Sequence, residues 1–305
     1  MTAQPLPSQP SLSPAAPVAL PAREDFRCIE RLRVRWAEVD PQNIVFNAHY
    51  LMYLDTASAG YWRSLAMPYA ETLQSLGGDL FVRRATVEYA APAHYDEQLE
   101  VGLRCASIGR SSLRFLAGVF RAGRLLVSGE LIYVYAHPVE RVSLAVPTVL
   151  REAIESYEAG APAAVVSHGP WVEFGAEARS LRQRVLVEEL GLATTEVDDG
   201  HDDAGLHLLA RNRFGLAVAT ARLQALPTGG MRLSRLAVHP LLRGSGIGRA
   251  LVRAGADAAL QRGERMLRAE VPAVCRGFFE RQGFTAPAAG DAASAREMVR
   301  VSAAG

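Results

Sequence analysis

The sequence holds few of the residues that build covalent or metal-stabilised scaffolds. Its 305 residues include three cysteines, Cys28, Cys105 and Cys275, far apart and in no CxxC or Cys/His spacing. That excludes a disulfide framework and a zinc site on pattern, and it suggests a reducing, cytoplasmic setting. Cys105 falls on the apolar face of an alternating stretch and reads as core. No apolar run reaches the roughly 20 residues that a membrane-spanning helix needs. The net charge is only +1, which gives no basis for nucleic-acid or membrane binding through bulk electrostatics. Before Arg23 the chain has no positive charge and prolines at Pro5, Pro7, Pro10, Pro14, Pro17 and Pro21. A signal peptide needs a charged start and an unbroken apolar core, so residues 1–25 are expected to form a disordered, polyproline-biased tail.

What the chain does have is enough apolar sequence for two cores. Hydrophobic residues make up 49% and charged ones 21%, a globular composition at a length that suits two domains. From Phe26 onward a strand is expected over Leu32–Ala37, then a turn, then a long helix opening at Asn47. Asn is a favoured N-cap. Tyr50, Leu54, Ala57, Tyr61 and Leu65 recur every three or four residues and mark one helical face. Four strands follow: Val82–Tyr89, Leu99–Ser107, Leu113–Arg121 and Leu125–His137. In the second, Leu99, Val101, Leu103 and Cys105 alternate with polar or small residues, the period of a half-buried strand. A short helix over Pro147–Tyr157 closes this unit. The only long helix available to cover the sheet is the one at Asn47, so a sheet wrapped around a central helix is expected for residues 26–158.

Residues 159–170, with Gly and Pro at both ends and no periodicity, read as a linker. From 171 to 305 the pattern becomes mixed α/β. It gives a helix at Glu177–Leu190, a hairpin at Leu206–Arg211 and Leu216–Gln224, and a strand at Met231–His239. A helix from Gly246 to Gln261, a strand at Arg265–Val271, a helix at Val274–Arg281 and a strand at Arg296–Ser302 complete it. The class is therefore α+β, with two unlike halves and no internal repeat.

Two constellations carry chemistry. In the first, Asp40 stands in a turn just ahead of the helix, where free amides and the helix dipole polarise an acyl carbonyl. An Asp-Pro pair is also an ordinary turn signal. His49 and His94 have no partner spaced for catalysis, and Asp55 lies inside the helix. The run Asp40-x-x-x-x-Val45-x-Asn47-x-x-Tyr50 resembles the hotdog-fold acyl-CoA thioesterases of the 4-hydroxybenzoyl-CoA type. Glu88-Tyr89-Ala90-Ala91-Pro92-Ala93, Asp96-Glu97-Gln98-Leu99, Gly109-Arg110-Ser111-Ser112 and Val142–Pro147 follow in the same order. The resemblance implies that Asp40 is the catalytic carboxylate, either attacking the thioester or activating water. It implies that the Asn47 and Ala48 amides polarise the carbonyl and that Tyr50 shapes the acyl pocket. It also implies a homodimer or homotetramer formed through this unit, with the site at a subunit interface. Arg110 with Ser111 and Ser112 reads equally as a phosphate contact or a hairpin turn.

In the second constellation, Arg243-Gly244-Ser245-Gly246-Ile247-Gly248-Arg249 follows a strand and opens a helix, a combination suited to phosphate. A dinucleotide fold fits poorly, because Glu264 precedes its strand instead of ending it. With Leu233–Pro240 before it, Arg182–Glu189 upstream and Phe278–Phe284 downstream, this half resembles the GNAT-type acyltransferases. The resemblance implies that the amides of Gly244 to Gly248, flanked by Arg243 and Arg249, hold the pyrophosphate of acyl-CoA. Leu236, Ala237 and Val238 would pair with its pantetheine arm. Phe279 stands where that family commonly has a Tyr that protonates the leaving thiolate, and Phe has no proton to give. Glu188, His239 and Glu270 are candidate bases. The function expected is acyl-CoA hydrolysis joined to acyl (acetyl) transfer onto an amine of unknown identity. Acyl-CoA is then substrate or co-substrate, and neither a tightly bound cofactor nor a metal is expected. The alternative makes the second half a CoA-binding regulatory module.

Overall fold

The computed structural model describes residues 21–287 and 297–301. Most of the expected tail, and the first and last residues of the expected final strand, lie outside these residues. The first unit opens with β1 (Cys28–Arg33), α1 (Asn47–Ser64), α2 (Tyr69–Leu76) and β2 (Asp79–Tyr89). It continues with β3 (Gln98–Ile108), β4 (Ser112–Arg121), β5 (Arg124–Ala136) and α3 (Thr148–Glu158). The five strands make one antiparallel sheet in the order β1-β3-β4-β5-β2, and α1 packs across β1 and β3. Tyr50, Leu54, Ala57, Tyr61 and Leu65 are all buried, as their spacing predicts. Each large apolar side chain among them contributes about 1.5–3 kcal/mol of burial. Tyr61 is the hub, meeting Trp62, Phe115 and Tyr157 edge-on. The architecture is a sheet wrapped around a central helix.

The first strand sits earlier than the expected Leu32–Ala37. β1 pairs with β3 from Cys28 opposite Leu103 to Arg33 opposite Gln98, and β3 begins there. The Val34 N–H still donates to Glu97 O, and Asp96 N–H to Val34 O. Beyond that the partner is exhausted, and Trp36–Glu38 coils into a short 3-10 turn.

The second unit holds β6 (Ala164–Gly169), α4 (Trp171–Arg182), α5 (Thr194–Val197), β7 (Leu206–Asn212), β8 (Ala217–Ala225) and β9 (Met231–Val238). α6 (Ile247–Gln261), β10 (Met266–Glu270), α7 (Arg276–Glu280) and β11 (Glu297–Val301) follow. Its sheet runs β11-β10-β9-β8-β7-β6, and among the described residues only β9 and β10 pair in parallel. Part of the expected linker is β6, paired along its whole length with β7. The expected helix over Glu177–Leu190 starts earlier, as α4, and passes into a π-helical stretch over Gln183–Glu189. That widening seats Val185 and Leu186 inward and leaves Glu188 exposed.

The two units are docked through the end of α1. Ala66, with φ 54°, packs into the second unit's core. Asn212 Nδ2 donates to Ala66 O at 2.8 Å, and Phe214 packs against the first core. Arg184 Nη2 donates to Glu71 Oε1 at 2.7 Å across the same seam.

Candidate active site

Local backbone bonds build the Asp40 turn. The Asp40 N–H donates to Ile44 O and the Asn43 N–H to Asp40 O, both at 2.9 Å, while Asn43 takes the left-handed φ of 62° that Asn tolerates. Asp40 Oδ1 accepts from the N–H groups of Gln42 (2.8 Å) and Ile44 (3.4 Å). Among the described residues Oδ2 has no protein partner. Asn47 is not the N-cap. Phe46 holds the extended φ/ψ of −59°/133° and its C=O accepts the His49 N–H, so Asn47 and Ala48 are the first two helical residues. Their N–H groups belong to the turn that has no intrahelical acceptor.

Asp40, Asn47 and Tyr50 line one cavity of about 450 Å³ together with Tyr89 and Pro92. Ala48 is not part of that lining. The Tyr50 hydroxyl accepts the Ala93 N–H at 3.1 Å and its ring meets Tyr53 and Tyr89 edge-on. It is a wall, with its polar tip already engaged. Glu38 has no signal in the sequence beyond its i,i+3 spacing to Arg35. It is buried and accepts from the Tyr53 hydroxyl (2.8 Å), the Arg35 N–H (2.8 Å) and Arg35 Nε (2.7 Å). Burial works to raise its pKa, but the Arg35 N–H, the Tyr53 hydroxyl and the Arg35 charge together hold it below the usual range. Its backbone C=O also accepts the Phe46 N–H. Glu38 thus clamps the Asp40 turn to α1. His49, half-buried beside Met52 Sδ, and His94, beside Glu97, lie outside the cavity lining, as do Asp55 and Arg110.

In the second unit, β9 and β10 pair only from Met231 to Leu233 and from Leu267 to Ala269. Arg235, at φ 54°, then sits in a bulge of the ladder with β8, which resumes at Ala237 and Val238. β9 and β10 part, so that Leu236, Ala237 and Val238 have no strand partner on the β10 side among the described residues. Gly244 (φ 83°) and Gly246 (φ 91°) need glycine to turn the chain into α6. At Gly248 an added Cβ would lie 3.3 Å from the Phe278 ring and 3.5 Å from Val238 Cγ2. Arg243 is bound through both Nη atoms to Glu189, at 2.5 and 2.7 Å. The sequence-derived set therefore divides. Arg243 to Ile247 and Arg249 face a cleft between the two units, whereas Gly248 and Val238 face Phe278. Phe279 is buried edge-on to Phe278 and Phe284. Glu188 and Glu270 are exposed, and His239 is buried with both ring nitrogens unbonded, its Nε2 3.5 Å from Glu71 Oε2.

Behind β7 and β8 lies a buried ion network. Arg182 and Arg222 both donate to Asp202, and Arg222 and Arg235 to Asp199. Arg182 Nη2 donates to His207 Nδ1 at 3.1 Å, so Nε2 carries the ring proton and donates to Asp202 O at 2.9 Å. Burial, then the nearby Arg182 charge, hold the His207 pKa below its ordinary 6.5, and burial followed by Arg184 does the same at His239. The unfolded chain binds protons at these two histidines that the folded chain refuses. Stability is therefore full above about pH 6.5 and is lost as pH falls below it. The melting temperature should drop between about pH 7 and pH 5, and His207→Gln should lessen that slope while lowering stability at neutral pH.

Among the described residues no group of three or more His, Cys, Asp or Glu is arranged to hold a metal, and no helix is long and apolar enough to cross a membrane.

Comparison with known proteins agrees with both halves. Residues 42–128 match the family model of the thioesterase superfamily, and residues 203–286 match that of an acetyltransferase (GNAT) domain. A putative esterase of Aquifex aeolicus is 32% identical over 93 residues, 30% of this chain and 72% of that one. The acyl-CoA thioester hydrolase YbgC of Escherichia coli is 28% identical over 117 residues, 38% of this chain and 87% of its own. A Thermus thermophilus thioesterase solved with coenzyme A and Zn is 28% identical, covering 45% of this chain and 97% of its own at a TM-score of 0.40. With its helix-wrapping sheet, the chain belongs through its first unit to the hotdog-fold thioesterase superfamily, and it carries a GNAT-type acetyltransferase domain in its second.

Proposed function

We propose that the first unit hydrolyses an acyl-CoA thioester to a carboxylate and free CoA, and that the second transfers an acyl group from acyl-CoA to an amine. The observation that carries the first half is the geometry of Asp40. One oxygen is tied by two backbone amides, the other is free, and it shares a cavity with the first residue of an 18-residue helix. In the cavity the thioester carbonyl would lie towards the Asn47 and Ala48 amides, and Asp40 would deliver either its own oxygen or an activated water. Tyr50 and Tyr89 would bound the acyl group. The similarity to an acyl-CoA thioester hydrolase supports the substrate class.

The cavity is open, and Phe46 in its lining is about half exposed. β2 is an edge strand with Val82 and Tyr89 also about half exposed. An unpaired edge of this length invites a second strand, and we read it as the contact of a homodimer, or of a homotetramer built from such pairs, that closes the site. For the second unit, the parting of β9 from β10 supports insertion of a pantetheine arm, and the turn at Gly244–Gly246 supports a pyrophosphate at α6. The chain has no lysine, so a side-chain amine acceptor must come from another molecule.

Phe279 favours a second reading of this unit. Locked among Phe278 and Phe284 without a hydroxyl, it leaves the departing thiolate to water or another group, as suits a CoA-sensing module that acts on hydrolysis. Thiol release from short, medium, long and aromatic acyl-CoAs, with and without amines, separates these cases. Hydrolysis of at least one class is expected, and none across the panel would overturn the proposal. Transfer to any amine at an enzymatic rate would remove the regulatory reading.

A further inference from the structure

Between the two units lies a cleft of about 600 Å³. One wall is the second unit's loop from Arg243 to Ile247, with Arg249 from the first turn of α6. The other wall comes from the first unit, through Arg27 and Glu30 at β1 and Arg63 near the end of α1. Four guanidinium groups and one carboxylate therefore surround it, and this basic lining stands out in a chain whose net charge is only +1. Their partners show which are committed. Arg243 is neutralised by Glu189. Arg63 meets Glu30 loosely, at 3.4 Å. Arg27 Cζ stands over the Tyr157 ring, 4.1 Å from its centroid, with Nη1 donating to Tyr157 O and to Ala161 O (2.9 Å). Among the described residues its Nε and Nη2 have no acceptor, and Arg249 has no acidic partner.

We propose that the cleft is a composite site for the phosphorylated nucleotide end of CoA, completed by Arg63 and Arg27 of the first unit. The inference rests on the reading of the second unit as a CoA binder and adds to it. The loop amides take the pyrophosphate, and the remaining phosphate is held by arginines that a free-standing second unit does not possess. Guanidinium is suited to this because it stays charged and presents paired donors to phosphate oxygens. Glu30 limits the site to ligands with enough negative charge to draw Arg63 away from it. The docking of Ala66 and Asn212 fixes the width of the cleft, so CoA recognition becomes a property of the two-unit chain.

The test measures CoA, 3′-dephospho-CoA and pantetheine on the full chain. Occupancy is read by hydrogen exchange at the amides of residues 244–248, which isolates this site from the thioester cavity about 27 Å away at the other end of α1. In the wild type, losing the 3′-phosphate should weaken binding about tenfold, and pantetheine should not protect the loop. In Arg63→Ala and Arg27→Ala, CoA should fall to the affinity of 3′-dephospho-CoA. Arg27 contacts only carbonyls and the Tyr157 ring, so the effect of Arg27→Ala cannot come from a stranded acid. If CoA protects the loop equally in both variants, the composite cleft is overturned and the loop reading stands. If CoA gives no protection in the wild type, both fall.

Discussion

Asp40→Asn should cost thioester hydrolysis at least two orders of magnitude in kcat, about 3 kcal/mol of transition-state stabilisation, with little change in KM. The substitution isolates charge from structure. The amide oxygen of Asn can accept the same Gln42 and Ile44 N–H groups that Asp40 Oδ1 accepts, so the turn and the entry to α1 should keep their form and the melting temperature should hold. What disappears is the anionic oxygen that either attacks the acyl carbon or takes a proton from water. Steady-state thiol release with the best acyl-CoA from the panel measures the loss. Single-turnover hydrolysis in 18O-labelled water then tests the direct attack, since an anhydride opened by water at the Asp40 carbonyl carbon puts label into its carboxylate, which an activated water never does. A variant with more than about a tenth of wild-type kcat would exclude Asp40 from the chemistry.

The fold was readable from the sequence wherever one side of an element is uniformly apolar and its partner is near. β3 announces itself through Leu99, Val101 and Leu103, and α1 through the Tyr50-to-Leu65 face, because both bury one face against a core that the same hundred residues supply. β6 was not readable. Its residues 164–169 alternate weakly between two prolines, and its ladder forms with β7 some forty positions later, information no local window contains. α2 had its signals, Pro68 at the start and Gly77 in the left-handed C-cap, but eight residues offer too little periodicity to stand against the strands that follow. The π-helical stretch over Gln183–Glu189 breaks the 3.6-residue period on which the expected Glu177–Leu190 helix rests. The same limit applies to the sites. Asp40 and the glycine turn are local arrangements with characteristic spacing. Glu38 becomes a clamp only when Tyr53, fifteen residues on, folds over it. The cleft between Arg63 and Arg249 exists only because two unlike units dock through Ala66 and Asn212.

Asn47→Pro should remove the carbonyl-polarising amide and leave the helix standing. A backbone donor is usually beyond the reach of side-chain substitution, but here the geometry permits it. Asn47 is the first residue of α1, the helical position at which proline is best tolerated because its N–H has no intrahelical acceptor. Phe46, at φ −59° and ψ 133°, already holds the extended conformation that a following proline imposes. The Asn47 carbonyl, which accepts the Tyr89 hydroxyl at 3.1 Å, is untouched. Loss of one such donor costs about 10²–10³ in kcat. Asn47→Ala keeps the N–H and should retain most of the activity, so the pair separates the amide from the side chain. Circular dichroism and melting temperature near wild type would show the helix intact in both. An active Asn47→Pro enzyme would remove this amide from the mechanism and leave the Ala48 N–H, one residue further along the same turn, as the remaining donor.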